Sequence, residues 1–505
     1  MKWLILLALV VMRTATAAMA TDPFVYDPDF NGGVIIEDRF ASVTTATNLL
    51  GLRVAIGATG DVVSSGLVAP AFQGSPAANF GAVRYNVLGQ RVPWGTPTVD
   101  YSYFNARYLD YPNTNAGYIG WVEDMKIFNG YVFALVDIGP ADGNRDVHIL
   151  TFTDGGPVTN GGVFIADTPA FSTGLDEVGA ALVPYCYTTF SGGGSVPVCL
   201  LIAVATYSTG GGRAVITLKR FLFHFADGSL SVDNSFGVSN NGAADVAAPD
   251  ALCDAGSNCS WRVRAAKALR ADTNAPTLYL AATVNTGNLQ QDSAVIAVNG
   301  YDGSVSTAFG GGSGSYVNYQ TGTSVGVGIA ATTSGNEAGD IVYLVTNTLP
   351  GCGQKGTVTK LRAQVSGVGG TKTLPDFAWG DGGTRDVGGN PGSCANVYTA
   401  VTDMILDGDR LVLVGYEDIV STIPDPLFAI VRASDGKLTE FARAGFPALH
   451  GDGSPWGGAS FQSVAARGGG YYAVTGYIYD AAANDAALFG TASFRADRIF
   501  GNDFQ

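Results

Sequence analysis

The residue types best suited to ligand contact lie together in one short segment, ALHGDGSPWGG (448–458). It carries His450, Asp452 and Trp456, which supply a titratable ring, a carboxylate and an aromatic face. The surrounding Gly and Pro residues predict a loop, and loops on a rigid β scaffold often carry function. We therefore treat these three residues as candidate ligand contacts.

Common catalytic arrangements are scarce elsewhere in the chain. A nucleophile elbow needs Gly-x-Ser-x-Gly, and no Ser here has a Gly both two residues before it and two residues after it. Of the three histidines, His148 and His224 lie in alternating segments that read as strands, so we interpret both as structural. The sequence predicts no metal site and no cofactor, because neither calcium-loop spacing nor a Cys-x-x-Cys pair occurs.

Two carboxylates occupy matching places in distant hairpins. Asp124 opens DMKIFNGYVFALVD (124–137), and Asp403 opens DMILDGDRLVLVGY (403–416). Equivalent positions in a ring of repeats lie at equal radius, so both could face a common axis. A glycoside hydrolase would need two such carboxylates about 5–10 Å apart. Asp is also favoured at turns near a strand entry, and this structural interpretation is the stronger one.

The same hairpin recurs along the chain. RVAIGATGDVVSSG (53–66) runs parallel to SVAARGGGYYAVTG (463–476), and longer-turned versions occur at 178–206, 263–284 and 325–346. A second strand pair follows each hairpin, with Asp-Gly at the turn in four cases, a dipeptide suited to tight β-hairpins. VCLLIAVATY (198–207) reads as a strand buried on both faces.

About seven four-stranded units predict an all-β fold, a single β-propeller over residues 21–505. An N-terminal strand within 27–40 is expected to pair with the last unit and close the ring. The expected units are 44–100, 118–170, 176–240, 260–312, 324–392, 394–446 and 459–505.

The segment GSLSVDNSFG (228–237) resembles the end of a delta-60 repeat of bacterial propeller-like proteins, with Asp233, Phe236 and Gly237 at the positions of its Asp-x-x-Phe-Gly ending. DGDRLVLVGY (407–416) and LFAIVRASDGKL (427–438) resemble the hairpin and Arg-strand of that family, with Arg432 at the Arg position. The resemblance covers about half the units and implies a bacterial propeller.

The chain ends suggest export from a Gram-negative bacterium. Residues 1–20, MKWLILLALVVMRTATAAMA, have the charged, apolar and small-residue parts of a signal peptide. The tail RIFGNDFQ resembles a short ending found on exported proteins of some Gram-negative bacteria. We expect a secreted or cell-surface protein with no membrane span after signal cleavage. A formal charge of −15 without Lys/Arg clusters makes nucleic acid an unlikely partner.

Six cysteines fit an oxidising compartment. Sequence-local pairing predicts three disulfides, each in or beside a loop. They are Cys186–Cys199, Cys253–Cys259 and Cys352–Cys394.

Two functions are compatible with these patterns. The first is a non-catalytic exported propeller that binds or scaffolds an unknown protein or carbohydrate, for which the aromatic segment 101–121 offers a binding rim. The alternative is a propeller glycoside hydrolase or lyase that uses carboxylates of the central channel. Two partly buried Asp or Glu residues that converge at the channel mouth would favour the enzyme.

Overall fold

The coordinates of this protein are a computed structural model. It describes residues 24–33, 35–38, 46–70, 79–92, 119–139, 145–153, 164–191, 194–209, 214–246, 260–285, 291–310, 315–318, 323–333, 339–349, 354–367, 370–388, 397–419, 424–443, 458–480 and 486–496. These residues form 30 strands and one short 3₁₀ turn, Asn31–Gly33.

The strands are numbered here in chain order. They are β1 (Phe24–Tyr26), β2 (Ile36–Asp38), β3 (Ala46–Ile56), β4 (Val62–Pro70), β5 (Asn79–Tyr85), β6 (Ile119–Phe128), β7 (Tyr131–Ile138), β8 (Asp146–Thr153), β9 (Phe164–Phe171), β10 (Glu177–Ser191), β11 (Gly194–Ser208), β12 (Ala214–Phe223), β13 (Leu230–Val232), β14 (Ala243–Val246), β15 (Ser260–Leu269), β16 (Thr277–Asn285), β17 (Gln291–Asn299), β18 (Ser315–Asn318), β19 (Thr323–Thr332), β20 (Ile341–Leu349), β21 (Lys355–Gly367), β22 (Gly370–Pro375), β23 (Thr384–Val387), β24 (Val397–Asp407), β25 (Arg410–Ile419), β26 (Asp425–Arg432), β27 (Leu438–Arg443), β28 (Gly458–Gly468), β29 (Tyr471–Asp480) and β30 (Ala486–Ala496).

The strands assemble into seven antiparallel blades, which confirms the predicted all-β propeller. Blades 2, 4 and 6 are β6–β9, β15–β18 and β24–β27, and blades 3 and 5 carry a fifth short strand in β10–β14 and β19–β23. Blade 1 consists of β3–β5, and blade 7 consists of β28–β30. No α-helix occurs among the residues that the structure describes.

Apolar side chains on both faces of each sheet explain why the blades stack. The second strands of blades 2 and 4 are buried almost from end to end, as the patterns of β7 and β16 show. The predicted burial of 198–207 is confirmed for its central residues, 199–206. Separate apolar clusters fill the spaces between consecutive blades, and one cluster unites blades 6, 7 and 1. The first and last blades are thus neighbours, and β3 packs against β28 and β29.

A β-bulge occurs at the same place in the innermost strand of every blade, where two residues oppose one on the second strand. The residues at the bulge, in blade order, are Leu52, Glu123, Ala180, Arg264, Val327, Thr402 and Gln462. The bulge lies two residues before Met125 and two before Met404, which confirms the predicted equivalence of those hairpins.

The N-terminal strands β1 and β2 pair antiparallel with β30, as expected for the N-terminal segment. Arg467 of β28 holds this segment by an ion pair between Nη1 and Asp27 Oδ2 at 2.7 Å, with both side chains nearly buried. Its Nη2 donates to the Val87 carbonyl beside blade 1 at 2.8 Å. One guanidinium therefore joins the N-terminal segment to blades 7 and 1.

The motif that carries the delta-60 resemblance forms a corner between two blades. The Arg220 Nε donates to Asp233 Oδ2 at 2.8 Å, and its Nη1 donates to the Gly300 and Tyr301 carbonyls of blade 4. Phe236 is fully buried beneath this guanidinium. Arg432 is placed differently, because it forms a half-exposed ion pair with Asp435.

Of the predicted disulfides, Cys186–Cys199 is present and links β10 to β11. Cys253, Cys259, Cys352 and Cys394 lie outside the described residues, as do the predicted signal peptide, residues 1–20, and the tail from 497 onward. Three of the four predicted Asp-Gly turns are described, and Gly228, Gly303 and Gly436 have φ of 73°, 77° and 73°. A positive φ at these positions is the geometry that Gly permits.

The buried contact between Arg467 and Asp27 yields a stability prediction. Arg467→Ala leaves the Asp27 carboxylate buried without its cation, which costs roughly 3–5 kcal/mol. Urea unfolding followed by circular dichroism should show a clearly lower midpoint. The matched control is Arg432→Ala, whose exposed ion pair is worth about 0–1 kcal/mol. Equal midpoints for the two variants would contradict this role of Arg467.

Candidate functional site

The innermost strands of all seven blades surround a central cavity of about 470 Å³. Small apolar side chains form most of its wall, including Ala55, Ala181 and Ala330. Seven charged residues interrupt this lining. They are Arg53, Glu123, Asp124, Lys126, Arg264, Lys267 and Asp403. The lining is therefore neither the plain Gly, Ala and Val wall of a simple scaffold nor a purely acidic channel.

Asp124 and Asp403 both reach the cavity, as their equivalence predicted, and both are tied to the neighbouring blade. Asp124 accepts hydrogen bonds from its own next residue, Met125 N, and from Leu182 N of blade 3, each at 2.8 Å. Asp403 accepts from Met404 N at 2.8 Å, and from Ser463 Oγ and Val464 N of blade 7 at 2.9 and 3.0 Å.

These bonds identify what the two aspartates do. Each carboxylate stabilises the bulge of its own strand and satisfies a main-chain N–H of the next blade, where an unmet donor would be costly. The structural interpretation of Asp124 and Asp403 is thus supported, although the contacts run between blades and do not cap a turn.

A closer pair of carboxyl groups involves the residue before Asp124. Glu123 lies at the bulge of β6 and faces the cavity, and Asp137 at the end of β7 lies behind it, fully buried. The two carboxyl groups are in hydrogen-bonding contact. Asp137 Oδ1 also accepts the Gly179 N–H of blade 3 at 2.8 Å. Two carboxylates cannot donate to each other, so the contact requires one shared proton.

Burial and mutual repulsion set the charge of this pair. Burial raises the pKa of Asp137 well above its ordinary value, and the charge of Glu123 raises it further. Burial also raises the pKa of Glu123, although Arg53 and Arg264 oppose this shift. The pair therefore holds one proton to a higher pH than ordinary carboxyl groups do, and perturbed groups of this kind concentrate at functional sites.

Arginines surround the pair on several sides. Arg53 donates from Nη1 to the Leu52 carbonyl at 2.8 Å and from Nε to the Glu123 carbonyl. Arg145, just before β8, forms a two-pronged ion pair with Asp176 at 2.8 and 3.0 Å. The side-chain contact with Arg145 lowers the pKa of Asp176, so the Asp176 carboxyl group loses its proton at a lower pH than usual.

The spacing of Glu123 and Asp137 limits their chemistry. Glycosidases of the two common mechanisms keep their carboxyl groups about 5–5.5 Å or 6.5–9.5 Å apart. Carboxyl groups in direct hydrogen-bonding contact are closer than either spacing. Glu123 instead offers the cavity a group that can accept or donate one hydrogen bond, with Asp137 as the positioning residue behind it.

The predicted ligand contacts His450, Asp452 and Trp456 lie outside the described residues, as does nearly all of the aromatic segment 101–121. His148 and His224 are described, and their ring nitrogens contact Asp167 Oδ1 and Ser231 Oγ at 2.7 Å each, as expected of structural histidines. Within the described ranges, no three His, Cys, Asp or Glu side chains are grouped to hold a metal ion.

Sequence reasoning missed Glu123, Asp137, Arg53 and Arg264. Aligning the seven hairpins places Glu123 and Arg264 in one column, but that column also holds Leu, Ala, Val, Thr and Gln. The available signal was an acidic residue directly before Asp124, in a run that is otherwise apolar.

The comparisons with known proteins come from structure alone. No family model and no curated protein matches the chain. Its fold is similar to an endo-arabinase from Bacteroides thetaiotaomicron, with 9% identity and a TM-score of 0.28 over 66% of this chain and 95% of that chain. It is also similar to a Hadza microbial sialidase, with 10% identity and a TM-score of 0.36 over 85% of this chain and 75% of that chain. At such values, neither similarity assigns an activity to this chain.

A search of the described residues for membrane spans finds no helix with the length and apolar character to cross a bilayer.

The carboxyl pair predicts an unusual pH dependence of stability. A carboxyl whose pKa is raised by folding contributes stability below its unfolded pKa of about 4, and that stability is lost as pH rises through the folded pKa. Asp137→Asn keeps an oxygen for the Gly179 N–H and gives Glu123 a permanent donor. The variant should therefore lose less stability than the wild type between pH 4 and pH 8, measured by urea unfolding.

The control for this prediction has the opposite sign. Asp176 has a lowered pKa, so its stability is present above about pH 4 and is lost as pH falls. Asp176→Asn should weaken the protein at pH 7, and the difference from wild type should shrink toward pH 3. Parallel stability curves for wild type and Asp137→Asn would show that the two carboxyl groups do not share a proton.

Proposed function

We propose that this protein is an exported, non-catalytic binding propeller that takes a carbohydrate into its central channel. The observation that carries the proposal is Glu123, which faces the cavity while Asp137 contacts it from behind. A half-protonated pair presents both an acceptor and a donor, which suits the hydroxyl groups of a sugar. The spacing of the pair is too short for the usual glycosidase mechanisms.

The disulfide Cys186–Cys199 supports a location outside the cytoplasm, because such bonds persist in oxidising compartments. We propose on this basis, and on the composition of residues 1–20, that the protein is secreted or lies at the cell surface. The corner formed by Asp233, Phe236 and Arg220 supports a relationship to the bacterial propellers with delta-60 repeats.

A second candidate function is a propeller glycoside hydrolase or lyase. The raised pKa of Glu123 on the cavity wall favours it, because a carboxyl that keeps its proton to a higher pH than usual is suited to act as a general acid. Asp124 and Asp403, held by main-chain N–H groups, would then supply the other carboxyl groups of the same cavity.

The test is titration calorimetry of the mature protein against a panel of soluble oligosaccharides, with chromatography of the same mixtures after a day. We expect reversible binding without new products. Glu123→Ala should weaken binding about tenfold or more, the worth of a hydrogen bond to a charged group. Glu440→Gln, a carboxyl change on β27 outside the cavity lining, should bind like the wild type.

If the wild-type mixture contains shortened sugars and the Glu123→Ala mixture does not, the protein is a glycoside hydrolase or lyase, and the non-catalytic proposal is wrong. Failure of every oligosaccharide to bind would overturn the carbohydrate proposal.

A further inference from the structure

Two cations of the cavity wall stand apart from the rest. Arg264 and Lys267 on β15 both line the cavity, and both side chains keep accessible surface inside it. Within the described part of the chain, neither side chain forms a hydrogen bond or an ion pair. Arg264 interacts with the charge of Glu123, and Lys267 with that of Lys126.

The remaining charges of the wall are already committed. Lys126 Nζ contacts Asp124 Oδ1 at 2.7 Å, and Arg53 donates to main-chain carbonyls. Asp124 and Asp403 accept from main-chain N–H groups, as described above. The donors of Arg264 and Lys267 are therefore the ones left to meet a ligand.

The repeat places these cations two blades away from the carboxyl pair. Arg264 is the bulge residue of blade 4 and Glu123 that of blade 2, and Lys267 and Lys126 each follow three residues later. Equivalent positions in a propeller lie at the same depth along the axis. The electrostatic contacts between Arg264 and Glu123, and between Lys267 and Lys126, agree with this arrangement.

The charge of this region differs from that of the whole chain. The protein carries a formal charge of −15, yet two uncommitted cations lie in its central cavity. Burial lowers the pKa of Lys267, and the positive charge of Lys126 lowers it further, so an anion placed between them would be stabilised.

We propose that the channel selects acidic sugars, with Arg264 and Lys267 binding the sugar carboxylate while Glu123 contacts its hydroxyl groups. This inference rests on the proposed carbohydrate-binding function and narrows its ligand class. Arg is well suited to the task, because its planar donors match a carboxylate with two parallel hydrogen bonds. The cavity of about 470 Å³ falls within the usual range of small-molecule sites.

The experiment uses matched pairs of disaccharides in titration calorimetry: digalacturonate with digalactose, and diglucuronate with diglucose. We expect at least one acidic member to bind about tenfold or more tightly than its neutral partner, and to weaken as NaCl rises from 50 to 500 mM. The double variant Arg264→Gln/Lys267→Gln should lose this preference while its thermal unfolding stays close to wild type.

The matched control is Lys437→Gln, which removes one cation from an exposed turn of blade 6 and should leave both affinities unchanged. Equal affinity for neutral and acidic sugars, or an acidic preference that survives the double variant, would overturn this inference and leave carbohydrate binding in place. Failure of every acidic and neutral sugar to bind would overturn the proposed function together with the inference.

Discussion

The two apolar faces of each sheet are the constraint on which this structure depends. A four-stranded sheet with a second strand such as β16, buried at nearly every residue, cannot stand alone in water. Each fully buried aliphatic side chain contributes about 1.5–3 kcal/mol by leaving water, so both faces must be covered. A ring of sheets meets this need without special end units, because blades 6, 7 and 1 share one apolar cluster.

The bulges determine which side chains line the central cavity. An innermost strand without a bulge would alternate its side chains strictly between its two neighbouring blades. The extra residue re-aims the side chains after it, so that the axis is lined by residues such as Ala55, Lys126 and Lys267. The bulge also leaves main-chain N–H groups without a partner in their own sheet. A side chain of the neighbouring blade accepts such a hydrogen bond, as Asp137 does from Gly179 N. The bulge therefore affects both the contacts between blades and the lining of the cavity.

The architecture could be predicted from local sequence patterns, because the residues that form a hairpin are neighbours in the chain. The alternation around Met125 and Met404 marks equivalent strands, and the pairing of β10 with β11 places Cys186 directly opposite Cys199. The N-terminal pairing with β30 was expected because a strand precedes the first full hairpin. These features depend on contacts within one unit or on the count of units.

The candidate site depends on contacts that no local pattern contains. Glu123 meets Asp137 because the bulge shifts the register between β6 and β7 by one residue. The charge of Arg264 acts on Glu123 from a blade about 140 residues further along the chain, and the bulge column shows no shared residue type. The prediction of His450, Asp452 and Trp456 rests on residue type and on a predicted loop. Neither criterion shows which residues of the innermost strands line the central cavity.

Hydrogen exchange read by mass spectrometry tests the closed ring most directly. If the first and last blades cover each other, the innermost strands β3 and β28 should exchange as slowly as β15 in blade 4, because all three are enclosed on both sides. Fast exchange across β3 and β28 beside slow exchange in β15 would reveal two exposed end faces. That result would replace the propeller with an open stack of sheets and remove the central cavity.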